Sequence, residues 1–178
     1  MRIIAGEHKG KKLKTFDGYD VRPTSDRLRE ALFNILSQKI IGSTFLDLCC
    51  GTGAVGLEAI SRGASTVVFV DKAKSSLQIC EYNLKSIKKQ GQMVNKDAIT
   101  YLNSCNLKFD FIYFDPPYEF SDIESVLNAV IKNGILATDG VFIYERKSDK
   151  KSQEIDGFYL SDSRKYGIAV VDFYKIKG

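Results

Sequence analysis

The sequence predicts an α/β fold, a largely parallel sheet with helices on both faces, preceded by an N-terminal hairpin and helix. Three observations predict it. From Thr44 onward, short runs rich in Val, Ile and Phe alternate with amphipathic helical stretches, the pattern of successive βαβ units. A glycine-rich turn, Cys50-Gly51-Thr52-Gly53, joins the first of these strands to the first of these helices. The fourth strand stops at Asp115-Pro116-Pro117-Tyr118, because neither proline has an N–H to give to a sheet ladder. In an open sheet of this kind, ligands bind outside the carboxyl ends of the strands.

Taken in order, Arg2 to Ala5 and Lys11 to Phe16 are short strand candidates around a hairpin loop, Gly6 to Gly10. Asp17-Gly18 is a turn, and Thr24 or Ser25 can cap a helix whose first turn holds Asp26. Leu28, Leu32, Ile35 and Leu36 give that helix one apolar face, and Arg27 and Arg29 near its start read as surface residues. Thr44 to Cys49 is the first strand of the main sheet, and Ala54 to Ile60 the helix after the glycine turn. Thr66 to Val70 follows as a strand closed by Asp71. Residues 73–89 make a helix with Leu77, Cys80, Leu84 and Ile87 on one face. Gln92 to Asn95 is a strand ending near Asp97, Ala98 to Ser104 a short helix, and Asp110 to Phe114 the fourth strand. Residues 122–133 are helical, with Ile123, Val126, Leu127 and Val130 facing inward. Gly140 to Tyr144, Phe158 to Ser161 and Ile168 to Tyr174 supply three more strands, the last two antiparallel. There is no internal repeat, and 178 residues fit one domain, 1–178, divided into an extension (1–40) and a catalytic core (41–178).

Composition narrows the chemistry. No apolar run reaches membrane-spanning length, and the first residues lack the apolar segment of a signal peptide. Cysteines 49, 50, 80 and 105 form no regular framework and read as reduced thiols of a cytoplasmic protein. His8 is the sole histidine, in a loop of glycines and lysines where solvent exposure is the default, so a histidine metal site or a Ser-His-Asp triad is excluded. The net charge of +4 comes from residues 1–14, where Arg2, Lys9, Lys11, Lys12 and Lys14 face Glu7 alone; the rest of the chain is balanced. A basic arm on a neutral body fits a polyanionic partner as well as it fits a solvated hairpin.

Gly51, Gly53 and Gly56 match a dinucleotide-binding fingerprint, and Asp71 lies 20 residues beyond Gly51. A nicotinamide-dependent oxidoreductase is therefore a rival reading. Asp47, near the glycine turn, would repel a pyrophosphate but favour a ligand with an ammonium group. Asp97-Ala98 suits an adenine amine. Asp115 and the Pro116 carbonyl together accept both hydrogens of an NH2 group, while Tyr118 offers a face on which a flat base can stack. Singly, each acid has a structural role open to it: Asp71 and Asp97 as helix caps, Asp47 as a partner for backbone N–H groups of the turn. Four acids at successive strand ends are less readily a coincidence. Together they point to an N-methyltransferase that uses S-adenosylmethionine.

The segment Asp47-Leu48-Cys49-Cys50-Gly51-Thr52-Gly53-Ala54-Val55-Gly56-Leu57-Glu58-Ala59 resembles the cofactor loop of class I methyltransferases, and Asp115-Pro116-Pro117-Tyr118 their amine-methylating motif. Met1-Arg2-Ile3-Ile4-Ala5-Gly6-Glu7, Arg22-Pro23-Thr24-Ser25-Asp26-Arg27-Leu28-Arg29-Glu30 and Lys165-Tyr166-Gly167 narrow the resemblance to the RsmD family, nearly end to end. Cys49-Cys50 departs from the family's more usual aromatic or apolar residue followed by a small one, and no tryptophan stands near residue 8.

The resemblance implies a class I methyltransferase (Rossmann-like) sheet of seven strands, the last antiparallel. It also implies methylation of the exocyclic N2 amine of a guanine in 16S ribosomal RNA, within the small subunit, by base flipping or loop reading. The expected site has Asp115, Pro116, Pro117 and Tyr118 at the chemistry and Asp47, Gly51, Gly53, Asp71, Asp97 and Ala98 around S-adenosylmethionine. Lys9, Lys11, Lys12, Arg22 and Arg27 are expected on the RNA. The expected protein is a cytoplasmic monomer with no metal and no membrane contact. A DNA base methyltransferase usually carries a separate target-recognition region, for which this chain has no room. A non-catalytic RNA-binding module on the same fold is a further alternative.

Overall fold

A computed structural model describes residues 1–16 and 26–178. The expected Asp17-Gly18 turn, the Thr24 or Ser25 cap and Arg22 lie outside the described residues. The main sheet is built from β1 (Thr44–Leu48), β2 (Thr66–Asp71), β3 (Gln92–Asn95), β4 (Phe109–Phe114), β5 (Leu136–Lys147), β6 (Phe158–Tyr166) and β7 (Ala169–Ile176). Among the described residues five helices accompany it: α1 (Asp26–Leu36), α2 (Ala54–Ser61), α3 (Lys74–Ser86), α4 (Ala98–Ser104) and α5 (Ile123–Lys132). A 3-10 turn, Ser37–Ile40, follows α1.

The strand order is β3-β2-β1-β4-β5-β7-β6. Strands β1 to β5 pair in parallel, and β7 runs antiparallel to both β5 and β6. The order reverses between β1 and β4, which opens a crevice above their carboxyl ends. The three last strands are longer than the apolar runs suggest, because β5 and β6 continue into polar residues on the way to the closing hairpin.

Alternating side chains of the buried strands feed two cores, one on each face. One takes Phe45, Phe69, Phe111, Tyr113 and Ile143 with α1, α2 and α3; the other takes Leu46, Leu48, Ile112, Phe114 and Phe142 with α4 and α5. The inward faces expected of α3 and α5 are buried. In α1 the buried set is Leu28, Arg29, Leu32, Phe33 and Leu36, whereas Ile35 is 40% exposed. The correction is a rotation of the buried stripe: Phe33 stacks toward Phe45 with ring centroids 6.1 Å apart, and Ile35 turns away.

The N-terminal arm departs furthest from expectation. Among the described residues its two limbs meet in a single antiparallel bridge, Arg2 with Lys12, and not in two strands. Backbone bonds still cross between the limbs, Ile3 N–H to Lys11 O (2.9 Å), Gly10 N–H to Ile3 O (2.8 Å) and Leu13 N–H to Met1 O (3.1 Å), and the core satisfies further groups. The Glu58 carboxylate, fully buried in α2, accepts from the N–H groups of Ile4 (2.8 Å) and Ala5 (3.0 Å) and from Arg62 Nε (2.7 Å). The Ser61 carbonyl accepts from Glu7 N–H, and Ser61 Oγ accepts from His8 N–H and donates to Ala5 O. Gly6, at φ 83°, lies so close that a Cβ would sit 1.8 Å from the Ser61 carbonyl oxygen. Asn83 on α3 bonds both Lys14 N and Lys14 O. Ile3 and Leu13 join the first core. The extension is thus separate from the βα alternation in sequence but fastened to it in space. His8 is accordingly half-buried and not a solvated loop residue.

Candidate active site

The crevice at the strand-order switch is a cavity of about 640 Å³, within the range of small-molecule sites. Its walls come from the carboxyl ends of β1 to β5 and the turns that follow them. Of the residues expected around the cofactor, Gly51, Asp71, Asp97 and Ala98 line it; of those expected at the chemistry, Asp115, Pro116, Pro117 and Tyr118 all do.

The glycine turn is held by acids from below. The Asp71 carboxylate accepts from Gly51 N–H (2.9 Å) with one oxygen and from Ala73 N–H (2.8 Å) with the other. Each oxygen keeps a second lone pair, so the same carboxylate can still accept ribose hydroxyls. Gly51 has φ 53°, and a Cβ there would meet no atom within 4 Å, so its backbone is open to a ligand at the cavity wall. Cys49 also adopts a left-handed φ of 66°, a conformation that costs a β-carbon-bearing residue about 1–3 kcal/mol. Its thiol lines the cavity and is pushed up to about 12 by burial first and then by Asp71, Asp115 and Asp47. It stays protonated near neutral pH and is no nucleophile.

Asp97 performs the capping role and faces the cavity at once. Its carboxylate accepts from Thr100 N–H (3.0 Å), capping α4, and the hydrogen bond from Thr100 holds its pKa below the ordinary carboxylate value. It is exposed and lies beside Ala98 and Ile99 on the cavity wall.

Two expected cofactor contacts fall elsewhere. Asp47 is buried and absent from the lining; Oδ2 accepts from Gly56 N–H at 2.8 Å, and burial pushes the carboxyl up to about 7. The alternative role is met in kind but one element on: the backbone N–H that Asp47 accepts belongs to Gly56 in the first turn of α2, not to the glycine turn itself. Gly53 points into the protein as well: at φ 82°, a Cβ would meet Cys80 Sγ at 2.4 Å. Gly56 is a packing glycine, since a Cβ would lie 2.3 Å from the Phe69 ring.

The Asp115–Tyr118 loop is braced from three sides. Asp115 N–H still reaches Leu48 O of β1 (3.4 Å), which ties the loop's start to the strand bearing the glycine turn. Phe120 N–H closes a turn onto Pro117 O (2.9 Å), and the Phe120 ring meets Phe114 edge-on at 5.3 Å. Lys150 Nζ donates to the carbonyls of Tyr118 (2.5 Å) and Phe120 (2.8 Å). Pro116 is buried, while Tyr118 is 37% exposed on the cavity wall.

Sequence reasoning missed Cys49, Lys72, Lys96 and Glu145 on the lining, and Lys150 behind the loop. Of these, Cys49 and Lys72 adjoin motif residues and were within reach of the sequence; Glu145 was not. Of the expected RNA contacts, Lys9, Lys11, Lys12 and Arg27 are all exposed. No group of ligating side chains among the described residues is arranged to hold a metal ion, and no described helix is long and apolar enough to cross a membrane.

The family model described as Conserved hypothetical protein 95 matches residues 1–175. Ribosomal RNA small subunit methyltransferase D of Haemophilus influenzae is 31% identical over 98% of this chain and 93% of its own. The chain belongs to the RsmD family. The protein of the same name from Escherichia coli K12 is 34% identical over 82% of this chain and 74% of its own. The solved structure of yhhF from Escherichia coli superposes with a TM-score of 0.90 at 28% identity, covering 99% and 98% of the two chains. The seven-strand class I methyltransferase fold expected from the sequence is therefore the one observed, and the activity of the RsmD family displaces the nicotinamide rival.

Proposed function

We propose that this protein transfers the methyl group of S-adenosylmethionine to the exocyclic N2 amine of a guanine in small-subunit ribosomal RNA. The observation that carries the proposal is the cavity in which the glycine turn and Asp71 stand opposite Asp115-Pro116-Pro117-Tyr118. In support, the RNA small-subunit methyltransferases of two organisms share the chain's family. On this reading the chain is one domain, monomeric and cytoplasmic, and its 1–40 extension forms part of the RNA-facing surface.

Asp71 would hold ribose hydroxyls, Asp97 with Ala98 the adenine edge, and Gly51 the close backbone approach. Bound there, the donor supplies an electrophilic methyl carbon on a sulfonium. The protein's own task would be alignment, holding the acceptor nitrogen within reach of the donor, with reacting atoms about 3–3.5 Å apart in a productive complex. The guanine amine is a poor nucleophile because its lone pair is delocalised into the ring. Asp115 and the Pro116 carbonyl accept its two N–H hydrogens, fix its direction and place negative potential where positive charge develops. The nitrogen, once methylated, would be acidic enough to lose its proton without a dedicated strong base from the chain. Tyr118 stacks on the extruded base. Asp47 fixes the first turn of α2, directly after the glycine turn, through Gly56 N–H.

The test separates binding from transfer. Asp115→Ala is expected to bind S-adenosylmethionine as the parent does while turnover falls about 10²–10³-fold, the range seen when one preorganised polar partner of a transition state is removed. Turnover at the parent rate would remove Asp115 from the chemistry.

A further inference from the structure

Glu145 is a buried carboxylate on the cavity wall that the mechanism above does not use. It stands one residue beyond Tyr144 on β5, and Asp115 stands one residue beyond Phe114 on β4; Phe114 and Tyr144 are register partners in that parallel pair. The two carboxylates therefore sit at the same level of neighbouring strands, whose spacing is about 4.8 Å. Glu145 Oε2 accepts a hydrogen bond from the hydroxyl of Tyr113, itself buried two positions before Asp115. Tyr113 thereby fixes the direction in which the carboxylate presents its acceptors.

An acceptor beside an amine-binding loop discriminates between bases by what flanks the amine. In guanine, N2 is flanked on its Watson–Crick side by N1–H, a donor, and on the other by N3. In adenine, N6 is flanked by N1 and in cytosine N4 by N3, both acceptors. A carboxylate next to the amine site hydrogen-bonds the first and repels the lone pair of the other two. Flipped bases are read at this edge by such hydrogen bonds.

We propose that Glu145, oriented by Tyr113, is the specificity-determining residue of the site and accepts the N1–H of the target guanine while Asp115 and Pro116 hold its N2 amine. This rests on the methyl-transfer reading of the cavity. It adds that base choice resides on β5, outside the Asp115–Tyr118 motif.

The experiment uses small subunits reconstituted with RNA carrying either guanosine or 2-aminopurine riboside at the nucleotide the parent enzyme labels. 2-Aminopurine keeps the exocyclic amine but has an acceptor at N1. The parent is expected to methylate guanosine at least about tenfold faster than 2-aminopurine, since one hydrogen bond to a charged group is worth about 1.5–3 kcal/mol. Glu145→Gln offers an amide N–H to that acceptor, so the preference should collapse to within a few-fold or invert. Tyr113→Phe should weaken the preference in the same direction. S-adenosylmethionine affinity, measured on each variant, should match the parent and thereby confirms an intact fold. A Glu145→Gln enzyme that is slower on both substrates but keeps the parental ratio overturns the proposal. So does a variant that no longer binds the donor while Tyr113→Phe binds it and keeps the parental ratio. If the parent's product is an N-methylated adenine or cytosine, the guanine reading itself fails, and the proposal falls with it for a separately visible reason. If the parent labels guanine but the ratios do not move, only the role of Glu145 is lost.

Discussion

Asp47 shows how burial assigns a role that spacing leaves open. In an unfolded chain an aspartate titrates near about 3.9; in the fold, burial outweighs the Gly56 N–H bond and carries the carboxyl up to about 7. Between those two pH values the folded protein keeps a proton that the unfolded chain has released. The contribution of this site to stability is therefore greatest below about pH 4 and is lost as pH rises through about 7. Asp47→Asn removes the titration and retains an oxygen for Gly56 N–H. Its melting temperature relative to the parent should rise between about pH 5 and about pH 7 and level off above, and a constant difference from about pH 5 to about pH 8 would contradict the assignment. Arg29 makes a similar point. Its sequence context reads as surface, but it is fully buried; Nη2 donates to Arg2 O and Asp26 Oδ1, both at 2.7 Å, and helps hold the arm. Nothing local in Asp26-Arg27-Leu28-Arg29 distinguishes the exposed arginine from the buried one, because the difference lies in what packs on the helix.

At the scale of elements, the strand–turn–helix from Thr44 to Ser61 divides its glycines between ligand and core. Gly56→Ala drives a methyl group into the Phe69 ring and should cost about 1–3 kcal/mol of stability, with any loss of donor affinity following from that. Gly51→Ala meets no neighbour; its left-handed backbone alone should cost about 1–2 kcal/mol, and its methyl group should in addition obstruct the donor. Thermal melts paired with donor titrations distinguish the two, and equal loss of affinity per degree of melting would reject the division. The strand ends, the glycine turn and the proline loop were legible in the sequence because each is written in adjacent residues under local rules. The identity of the cavity-lining glycine was not, since Gly51, Gly53 and Gly56 share one motif and differ only in what α3 and β2 place beside them. Glu145 was hidden for a related reason: it lies within a long strand of mixed polarity, and only the register of β5 against β4 brings it level with Asp115. The arm reads as a hairpin because its turn residues favour one, and its limbs do bond each other, Ile3 N–H to Lys11 O and Leu13 N–H to Met1 O; hidden from the sequence are its further bonds to Glu58, Ser61 and Asn83, far away in the chain.

For the whole molecule, one side chain links the arm to the glycine turn. Asn83 bonds both the arm at Lys14 and the carbonyl of Thr52 in the glycine turn, so the basic segment is anchored next to the cofactor loop. With its ends fastened, the arm leaves Lys9, Lys11 and Lys12 exposed to a polyanion. Replacing these three lysines with glutamate should weaken RNA binding and flatten its dependence on salt, by roughly 0.7–0.9 in the log–log slope for each phosphate no longer neutralised. Donor affinity should not change. An unaltered slope would move the RNA path elsewhere. The proposed chemistry reduces to one transfer, from a sulfonium donor to a guanine amine that Asp115 would hold. The most direct measurement incubates the protein with labelled S-adenosylmethionine and small ribosomal subunits from cells lacking the activity, then resolves the digested nucleosides. Label in N2-methylguanosine is the predicted result; label confined to any other nucleoside, or no transfer despite donor binding, would contradict it.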